Sequence, residues 1–202
     1  MTKVNLIHNY SKLLNFYGKQ NWWPINYHFK PREWEICIGA ILTQNTNWKN
    51  VEKALAQLKN AKCISPQDTL YIRINCLQEL IKSSGFYKQK SHRLKTLAAC
   101  VISYGSFEKF KKGITREKLL ALNGIGPETA DSILVYVCNK PYFVIDAYTK
   151  RMCEKLNIKI KKNQKYEDYR NLFEKNIPRD TNLYKEFHAL IVQWGKDKFK
   201  EL

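Results

Sequence analysis

Apolar residues recur at spacings of three and four along almost the whole chain, which is the pattern of amphipathic helices. One stripe is formed by Leu6, Ile7, Tyr10, Leu13, Leu14 and Tyr17, and another by Val51, Ala54, Leu55 and Leu58. No alternating pattern of useful length indicates a strand. The chain is therefore predicted to be all-α, with roughly ten helices separated by breaks at 18–31, 60–66, 83–86, 104–106, 123–127 and 139–144.

The segment Ile36–Leu42 is apolar on nearly every face, as expected of a helix at the centre of a lobe. With 202 residues and 44% apolar content, the chain can bury one substantial core or two small lobes. There is no clear linker, repeat or low-complexity stretch, although 159–165 is basic and typical of a loop.

The charge balance points to a polyanionic partner. Lys and Arg number 35 against 18 Asp and Glu, which gives a net charge of +17 and favours nucleic acid over other partners. The alternative is an ordinary lysine-rich surface. No signal-like segment and no apolar run near the ~20 residues of a membrane span are present, so a cytoplasmic, nucleoid-associated protein is expected.

The six cysteines are scattered, without a Cys-x-x-Cys pair, and are predicted to be reduced core residues. They are Cys37, Cys63, Cys76, Cys100, Cys138 and Cys153.

The most informative stretch is Leu122–Arg151, LNGIGPETADSILVYVCNKPYFVIDAYTKR. A Gly-x-Gly turn is followed by Pro127, which suits the first position of a helix, so that backbone N–H groups would be free to meet a phosphate. Asp146 follows an apolar run. It is predicted to cap the next helix, to take part in chemistry, or to do both.

This stretch resembles the helix-hairpin-helix segment, with its Gly/Pro-rich loop and aspartate, of the endonuclease III superfamily of DNA glycosylases. Ile38–Thr46 (IGAILTQNT) resembles the family's helix with a base-stack-filling glutamine, and Ser84–Leu94 (SGFYKQKSHRL) resembles its Gly-Phe-Tyr-x-x-Lys segment. Within the superfamily, the Trp22-Trp23-Pro24 motif, Trp48 and the missing metal cluster are most similar to 3-methyladenine DNA glycosylase III.

The resemblance implies a two-lobed fold with a DNA cleft between the lobes. A middle lobe would span 34–142, with the hairpin at about 115–138, and both termini, 1–33 plus 143–202, would form the second. No cysteine follows Cys153, so no iron–sulfur cluster and no metal is expected. The expected partner is double-stranded DNA containing a damaged base, bound by a monomer.

In the family the aspartate matched by Asp146 lies beside C1′ of the target nucleotide and stabilises the positive charge that develops on the sugar. Bifunctional members use a lysine as a Schiff-base nucleophile where this chain has Glu128, which cannot form an imine. A monofunctional glycosylase is therefore predicted, with Lys140, Lys150 and Lys90 left open as substitute nucleophiles. The simpler role of Glu128 is to complement the helix dipole.

The resemblance assigns Gln44 to the gap left by a flipped nucleotide; the alternative is an ordinary polar residue at a helix end. Trp48 and one of Trp22 or Trp23 match the aromatic positions that sandwich the flipped base. Indoles favour a cationic alkylated purine through cation–π attraction. The alternative role for Trp22, Trp23 and Trp48 is packing in the core or between the lobes. Packing is the role predicted for Trp34 and Trp194.

Backbone binding is expected from Gly124, Ile125 and Gly126, whose carbonyl groups could also hold a monovalent cation. The predicted phosphate partners are Lys88, Lys90, Arg93 and Lys150, each of which could instead be solvated surface. Binding through phosphates would weaken steeply with salt.

The segment Phe187–Val192 departs from the closer family, which has a carbamylated lysine in a Phe-His-x-Lys-Ile-Val context. Here the sequence is FHALIV, and Leu190 cannot be carbamylated. His188 is retained, but a lone histidine in an apolar helix is more often a core residue.

The leading prediction is a base-excision glycosylase acting on alkylated purines such as 3-methyladenine. One alternative is an endonuclease III-like glycosylase and lyase on oxidised pyrimidines or mismatched bases. Another is a non-catalytic helix-hairpin-helix DNA-binding module, against which Asp146 argues.

Overall fold

The computed structural model describes residues 5–23, 25–160 and 165–201. In these ranges the secondary structure is helical, without a strand, which confirms the all-α prediction. The α-helices are α1 Leu6–Tyr17, α2 Trp34–Leu42, α3 Trp48–Asn60, α4 Pro66–Tyr71, α5 Ile74–Leu80, α6 Tyr87–Ser103, α7 Phe107–Gly113, α8 Arg116–Leu120, α9 Pro127–Ser132, α10 Ala147–Lys155, α11 Tyr166–Asn176 and α12 Thr181–Lys196. A 3-10 turn spans Lys82–Ser84, and α9 continues as a π-helical turn over Ile133–Val137.

The described α-helices number twelve against the roughly ten predicted, and two of the predicted segments are each split by a short extended break. Ile72 and Arg73 separate α4 from α5, with ψ near 141° and 136°. Ile114 is extended too, and the Thr115 side chain then caps α8 by accepting from Lys118 N. These breaks contain neither Gly nor Pro, so the sequence lacked the usual break signal.

Short polar side chains start many of the helices. Asn47, Ser65, Ser106 and Asp180 each accept a hydrogen bond from the backbone N–H three residues on. Such caps satisfy N–H groups that have no partner within the helix.

Contacts divide the chain into two units. The first unit consists of Met1–Pro24 and Asn139–Leu202, and the second of Ile25–Cys138.

The second unit is built around α2, in which every residue from Trp34 to Leu42 is buried. This confirms the prediction of a central helix over Ile36–Leu42. The Glu35 carboxylate is buried in this helix and accepts hydrogen bonds from the backbone N of Asn26 and Tyr27, at 2.8 and 2.9 Å. A buried charge satisfied in this way orders the segment that leads into α2.

An aromatic core holds the first unit together. The rings of Phe143 and Phe173 stack at 4.4 Å, and Phe187 meets both of them edge-on or tilted, at 5.8 and 5.9 Å. Phe143 precedes α10 and Phe187 lies in α12, so this cluster sets the positions of both helices.

A glycine permits a close approach of α10 and α12. A Cβ atom on Gly195 would lie 2.1 Å from Cδ1 of Tyr148, so a larger residue would force the Tyr148 ring or one of the two helices to shift. Trp194, beside it, is 4% exposed, and Trp34 in the second unit is fully buried, which confirms the packing role predicted for both.

The cysteines are free thiols, but they are not all core residues. Cys37, Cys63 and Cys153 are buried, whereas Cys76 is exposed. The prediction was wrong for Cys76, because its place in the short helix α5 turns it away from the buried Leu77. No helix within the described residues is long and apolar enough to span a membrane.

Candidate active site

Asp146 is the N-cap of α10 in the first unit. Its Oδ1 accepts hydrogen bonds from the backbone N and the Oγ1 of Thr149, at 2.7 and 2.9 Å. Its Oδ2 lies 3.6 Å from Nε2 of His188, and the Asp146 side chain keeps 15% exposure. The cap predicted from the sequence and a partly exposed carboxylate are therefore present in the same residue.

The environment favours the ionised form of this carboxyl. Burial alone would raise the pKa of Asp146, but the adjacent His188 ring and the two donors of Thr149 outweigh it and hold the pKa below its usual value. Asp146 is therefore a carboxylate at neutral pH, as a group that stabilises positive charge must be.

Trp22 lies next to His188 in the first unit. Its ring centroid is 6.0 Å from that of His188 and 6.1 Å from that of Trp23. The ammonium group of Lys196 lies 5.2 Å from the Trp22 centroid. Pro24, the third residue of the predicted motif, lies outside the described residues.

The predicted hairpin is present in the second unit, as α8, the turn at 121–126 and α9. Gly124 adopts a φ of +81°, and a Cβ atom there would lie 2.2 Å from Nε of Arg93. Glycine is therefore required twice, for the backbone conformation and for the passage of the arginine side chain.

A buried ion pair joins the two helices of the hairpin. Arg116 on α8 donates to both carboxylate oxygens of Asp131 on α9, at 2.6 and 3.2 Å. Asp131 is fully buried. The bidentate geometry fixes the angle at which the turn is presented.

Pro127 and Glu128 occupy the first turn of α9, after Gly126 as N-cap. A glutamate there faces the positive end of the helix dipole, as predicted. The side chain of Ile125 is buried, so it is the backbone of this residue that could meet a phosphate.

Gln44 is held against the hairpin. Its Nε2 donates to the carbonyl of Gly124 at 3.1 Å and to Thr129 Oγ1 at 2.9 Å, and its Oε1 accepts from Arg93. The structure thus brings the predicted stack-filling residue and the predicted phosphate-binding turn together in one polar cluster.

The predicted phosphate partners differ in position. Lys88 is exposed, and Arg93 and Lys150 are half-buried. Lys90 is 1% exposed, and its Nζ donates to the carbonyls of Leu42 and Ser84 at 2.8 and 2.7 Å. Lys90 therefore braces the end of α2 from inside, which corrects the prediction of a surface contact with phosphate.

Lys90 also has an unusual ionisation. Burial, with a smaller contribution from the Arg93 charge, lowers the pKa of Lys90 to about 8. A low pKa suits an amine nucleophile, but this one is enclosed by backbone carbonyls.

Trp48 begins α3 in the second unit and is half-buried. Its indole N–H donates to Glu52 at 3.1 Å.

Leu190, which stands where the closer family has its modified lysine, is fully buried in α12. No group of three or more His, Cys, Asp or Glu side chains in the described ranges is arranged to hold a metal ion.

His188 was predicted from the sequence to be a core residue. Its burial was expected, but its contact with Asp146 was not. A histidine in the helix that packs on the aspartate-bearing helix was the available signal, and nothing local in the sequence shows that the two meet.

Comparison with known proteins agrees with this arrangement. Residues 38–179 match the family described as HhH-GPD superfamily base excision DNA repair protein. The chain belongs to this superfamily. It is a DNA N-glycosylase, an enzyme that cuts the bond between a base and its sugar.

Two relatives illustrate the similarity in sequence. The chain is 45% identical, over 193 residues, to a protein of Methanocaldococcus jannaschii named as a candidate DNA repair glycosylase, covering 93% of this chain and 85% of that one. It is 27% identical over 171 residues to endonuclease III of Thermotoga maritima, covering 84% and 76% of the two chains.

Solved structures show the same fold. The 3-methyladenine DNA glycosylase of H. pylori, bound to 1,N6-ethenoadenine, superimposes with a TM-score of 0.87 at 33% identity, over 98% of this chain and 100% of that one. An endonuclease III trapped covalently on DNA gives a TM-score of 0.80 at 18% identity, over 100% and 89% of the two chains, and supports the fold alone.

Proposed function

We propose that this DNA glycosylase removes alkylated purines, such as 3-methyladenine, by hydrolysis, and leaves the abasic strand uncut. Two residues carry the proposal. Asp146 is an ionised and partly exposed carboxylate, and Glu128 stands at the family's lyase position. The likeness to the H. pylori 3-methyladenine glycosylase over that protein's whole length supports the choice of substrate.

Asp146 supplies the charge for the reaction. Thr149 engages Oδ1, so Oδ2 is the oxygen that faces the nucleotide and stabilises the positive charge on the sugar as the bond to the base breaks. A purine alkylated at N3 or N7 leaves as a neutral base and needs no general acid. Water then completes the hydrolysis at C1′, and its proton is released.

Trp22, Trp23 and Trp48 are proposed to recognise the base. Aromatic faces stack on any base and attract a cationic one more strongly. Lys196 already lies over the Trp22 ring, so a cationic base stacks on the ring face away from that ammonium.

The hairpin and Gln44 are proposed to hold the DNA. The backbone of Gly124, Ile125 and Gly126 receives a phosphate, with Lys88, Arg93 and Lys150 as cationic neighbours. Gln44 leaves its contacts with the turn to fill the gap in the base stack. The Gly124 carbonyl that it vacates would then be open to a monovalent cation. One chain is proposed to act alone on the duplex.

Removal of other bases is the second candidate function, because endonuclease III of T. maritima and a thymine-DNA glycosylase of Aeropyrum pernix are among the relatives. The latter is 26% identical over 163 residues, covering 77% of this chain and 69% of that one. A lyase would need another amine in place of Glu128, and the carbonyl contacts of Lys90 disfavour it for that role.

The proposal is tested by release of labelled bases from methylated duplex DNA, with strand breaks scored before and after alkali. Asp146→Asn should reduce base release by about a thousandfold, because the amide keeps the cap but carries no charge. Asp180→Asn is the matched control, since Asp180 also caps a helix of the first unit, accepting from Leu183 N at 2.7 Å.

The expected wild-type result is free methylated purine, with breaks only after alkali. Breaks before alkali would contradict the monofunctional assignment. Release of oxidised or mismatched bases in preference to methylated purines would favour the second candidate. Equal activity of Asp146→Asn and Asp180→Asn would remove Asp146 from the mechanism.

A further inference from the structure

His188 is a titratable side chain that the mechanism above leaves unused. It lies in the middle of α12, flanked by the buried residues Phe187 and Ala189, and its side chain is 7% exposed. A polar ring in such a position costs free energy unless it has a polar neighbour. That neighbour is Oδ2 of Asp146, 3.6 Å from Nε2.

The two oxygens of Asp146 have different partners. Oδ1 takes both donors of Thr149, which are the ordinary contacts of a helix cap. Oδ2 is not needed for the cap, and it is the oxygen beside His188. A group that acts on Oδ2 therefore acts on the catalytic function of the carboxylate and not on its structural one.

We infer that His188 is a positioning residue, which holds Oδ2 of Asp146 aimed at the sugar of the target nucleotide. The inference rests on the proposed role of Asp146. The packing of α10 against α12 supports it, since Gly195 lies about two helical turns beyond His188 and lets the helices approach closely. The ring of Trp22 lies 6.0 Å from that of His188.

Several other charged or titratable groups on the neighbouring segments contact residues other than Asp146. On α10, Lys150 and Arg151 lie over the rings of Tyr169 and Tyr148. On α12, Lys196 lies over Trp22, Glu186 accepts from Gln20 N and Lys185 donates to Asn139. At the start of α11, the Tyr166 hydroxyl accepts from Ile145 N. His188, with Nε2 at 3.6 Å from Oδ2, is placed to act on that oxygen.

The inference is tested by the rate of base release from methylated duplex DNA, under single turnover with saturating enzyme, as a function of pH. His188→Leu should lower the rate about 10- to 100-fold with little change in DNA affinity. The acid limb of its profile should move to higher pH, because burial of Asp146 then acts without the opposing His188.

Two polar variants separate positioning from packing. His188→Gln keeps an N–H donor that reaches Oδ2 and should retain most of the rate, whereas His188→Asn is too short and should behave like His188→Leu. The comparison of His188→Gln with His188→Asn tests the inference even if His188→Leu does not fold. Both variants bury the same amide group and differ only in whether it reaches Oδ2. Phe187→Leu, which thins the aromatic packing of the same helix, should leave the acid limb in place.

If packing alone explains His188, the leucine variant will be the most active of the three and no acid limb will move. That result, obtained with an active wild type and an inactive Asp146→Asn, overturns the inference and leaves the proposed function standing. An inactive wild type, or an active Asp146→Asn, overturns the proposed function itself.

Discussion

The two units carry two different kinds of site. In the first unit, Trp22, Asp146 and His188 come together from three distant parts of the sequence. In the second unit, the hairpin turn is a local structure of consecutive residues, braced by Arg116 and Asp131. The first site depends on one charge and its surroundings, and the second on backbone geometry.

This difference leads us to expect that the two sites affect different properties of the enzyme. Changes near Asp146 should alter the rate of bond cleavage with little effect on DNA affinity, because one carboxylate is not a source of attraction for phosphate. Changes at the hairpin should alter affinity and its salt dependence. We therefore expect substitutions at the two sites to have separable effects on cleavage rate and on DNA affinity.

The largest expected effect is on stability at the hairpin. Asp131→Asn should lower the free energy of unfolding by about 3–5 kcal/mol, because it leaves the Arg116 guanidinium partly buried without its counterion. Urea unfolding measures this loss. Glu108→Gln, which breaks an exposed pair with Lys111, is the control and should cost less than about 1 kcal/mol. Equal losses would show that the pair does not brace the hairpin.

A middle-sized effect is expected on DNA affinity. Gly124→Ala should weaken binding about tenfold and cost about 1–2 kcal/mol of stability, because the residue has φ +81° and its methyl group meets Arg93. Gly105→Ala is matched to it, with φ +79° and open space around the added carbon. The control should show the stability loss without the loss of affinity, measured by fluorescence anisotropy with duplex DNA.

If both glycine variants bind DNA like the wild type, the turn is not the phosphate site. The cleavage rate at saturating enzyme should stay within a few-fold of the wild-type rate in both variants, since neither touches Asp146.

The smallest effect concerns the stability that Asp146 contributes through its charge. Its folded-state pKa is lowered, so this contribution is present above the unfolded pKa of about 3.9 and is lost as the pH falls through the folded pKa. The stability difference between wild type and Asp146→Asn should be at most about 1 kcal/mol at pH 7, since asparagine also caps helices, and should shrink in acid. A difference that does not change with pH would argue against an ionised Asp146.

Much of the site could be predicted from local patterns. The turn before Pro127 needs only neighbouring residues to specify it, and Asp146 precedes a helix that its own side chain caps. The uniformly apolar sequence of Ile36–Leu42 predicted its burial for the same reason. These features are local because hydrogen bonds within a turn, and the apolar face of a helix, follow directly from adjacent residues.

Three contacts could not be predicted in this way. Lys90 carries a charge and belongs to a basic segment, so its sequence favours the surface, yet it bridges two carbonyls in the interior. Gln44 meets Thr129 across 85 residues of sequence, and His188 meets Asp146 through the packing of α12 on α10. In each case the partner is supplied by another helix.

The sequence by itself therefore determined the all-helical class, the superfamily, the hairpin and the aspartate. The tertiary structure decided which lysine is buried, which residues hold Gln44 and which residue lies beside the Asp146 carboxylate. The physical reason is that a helix and its caps are specified by neighbours along the chain. The burial and ionisation of a polar group depend instead on side chains that only packing brings to it.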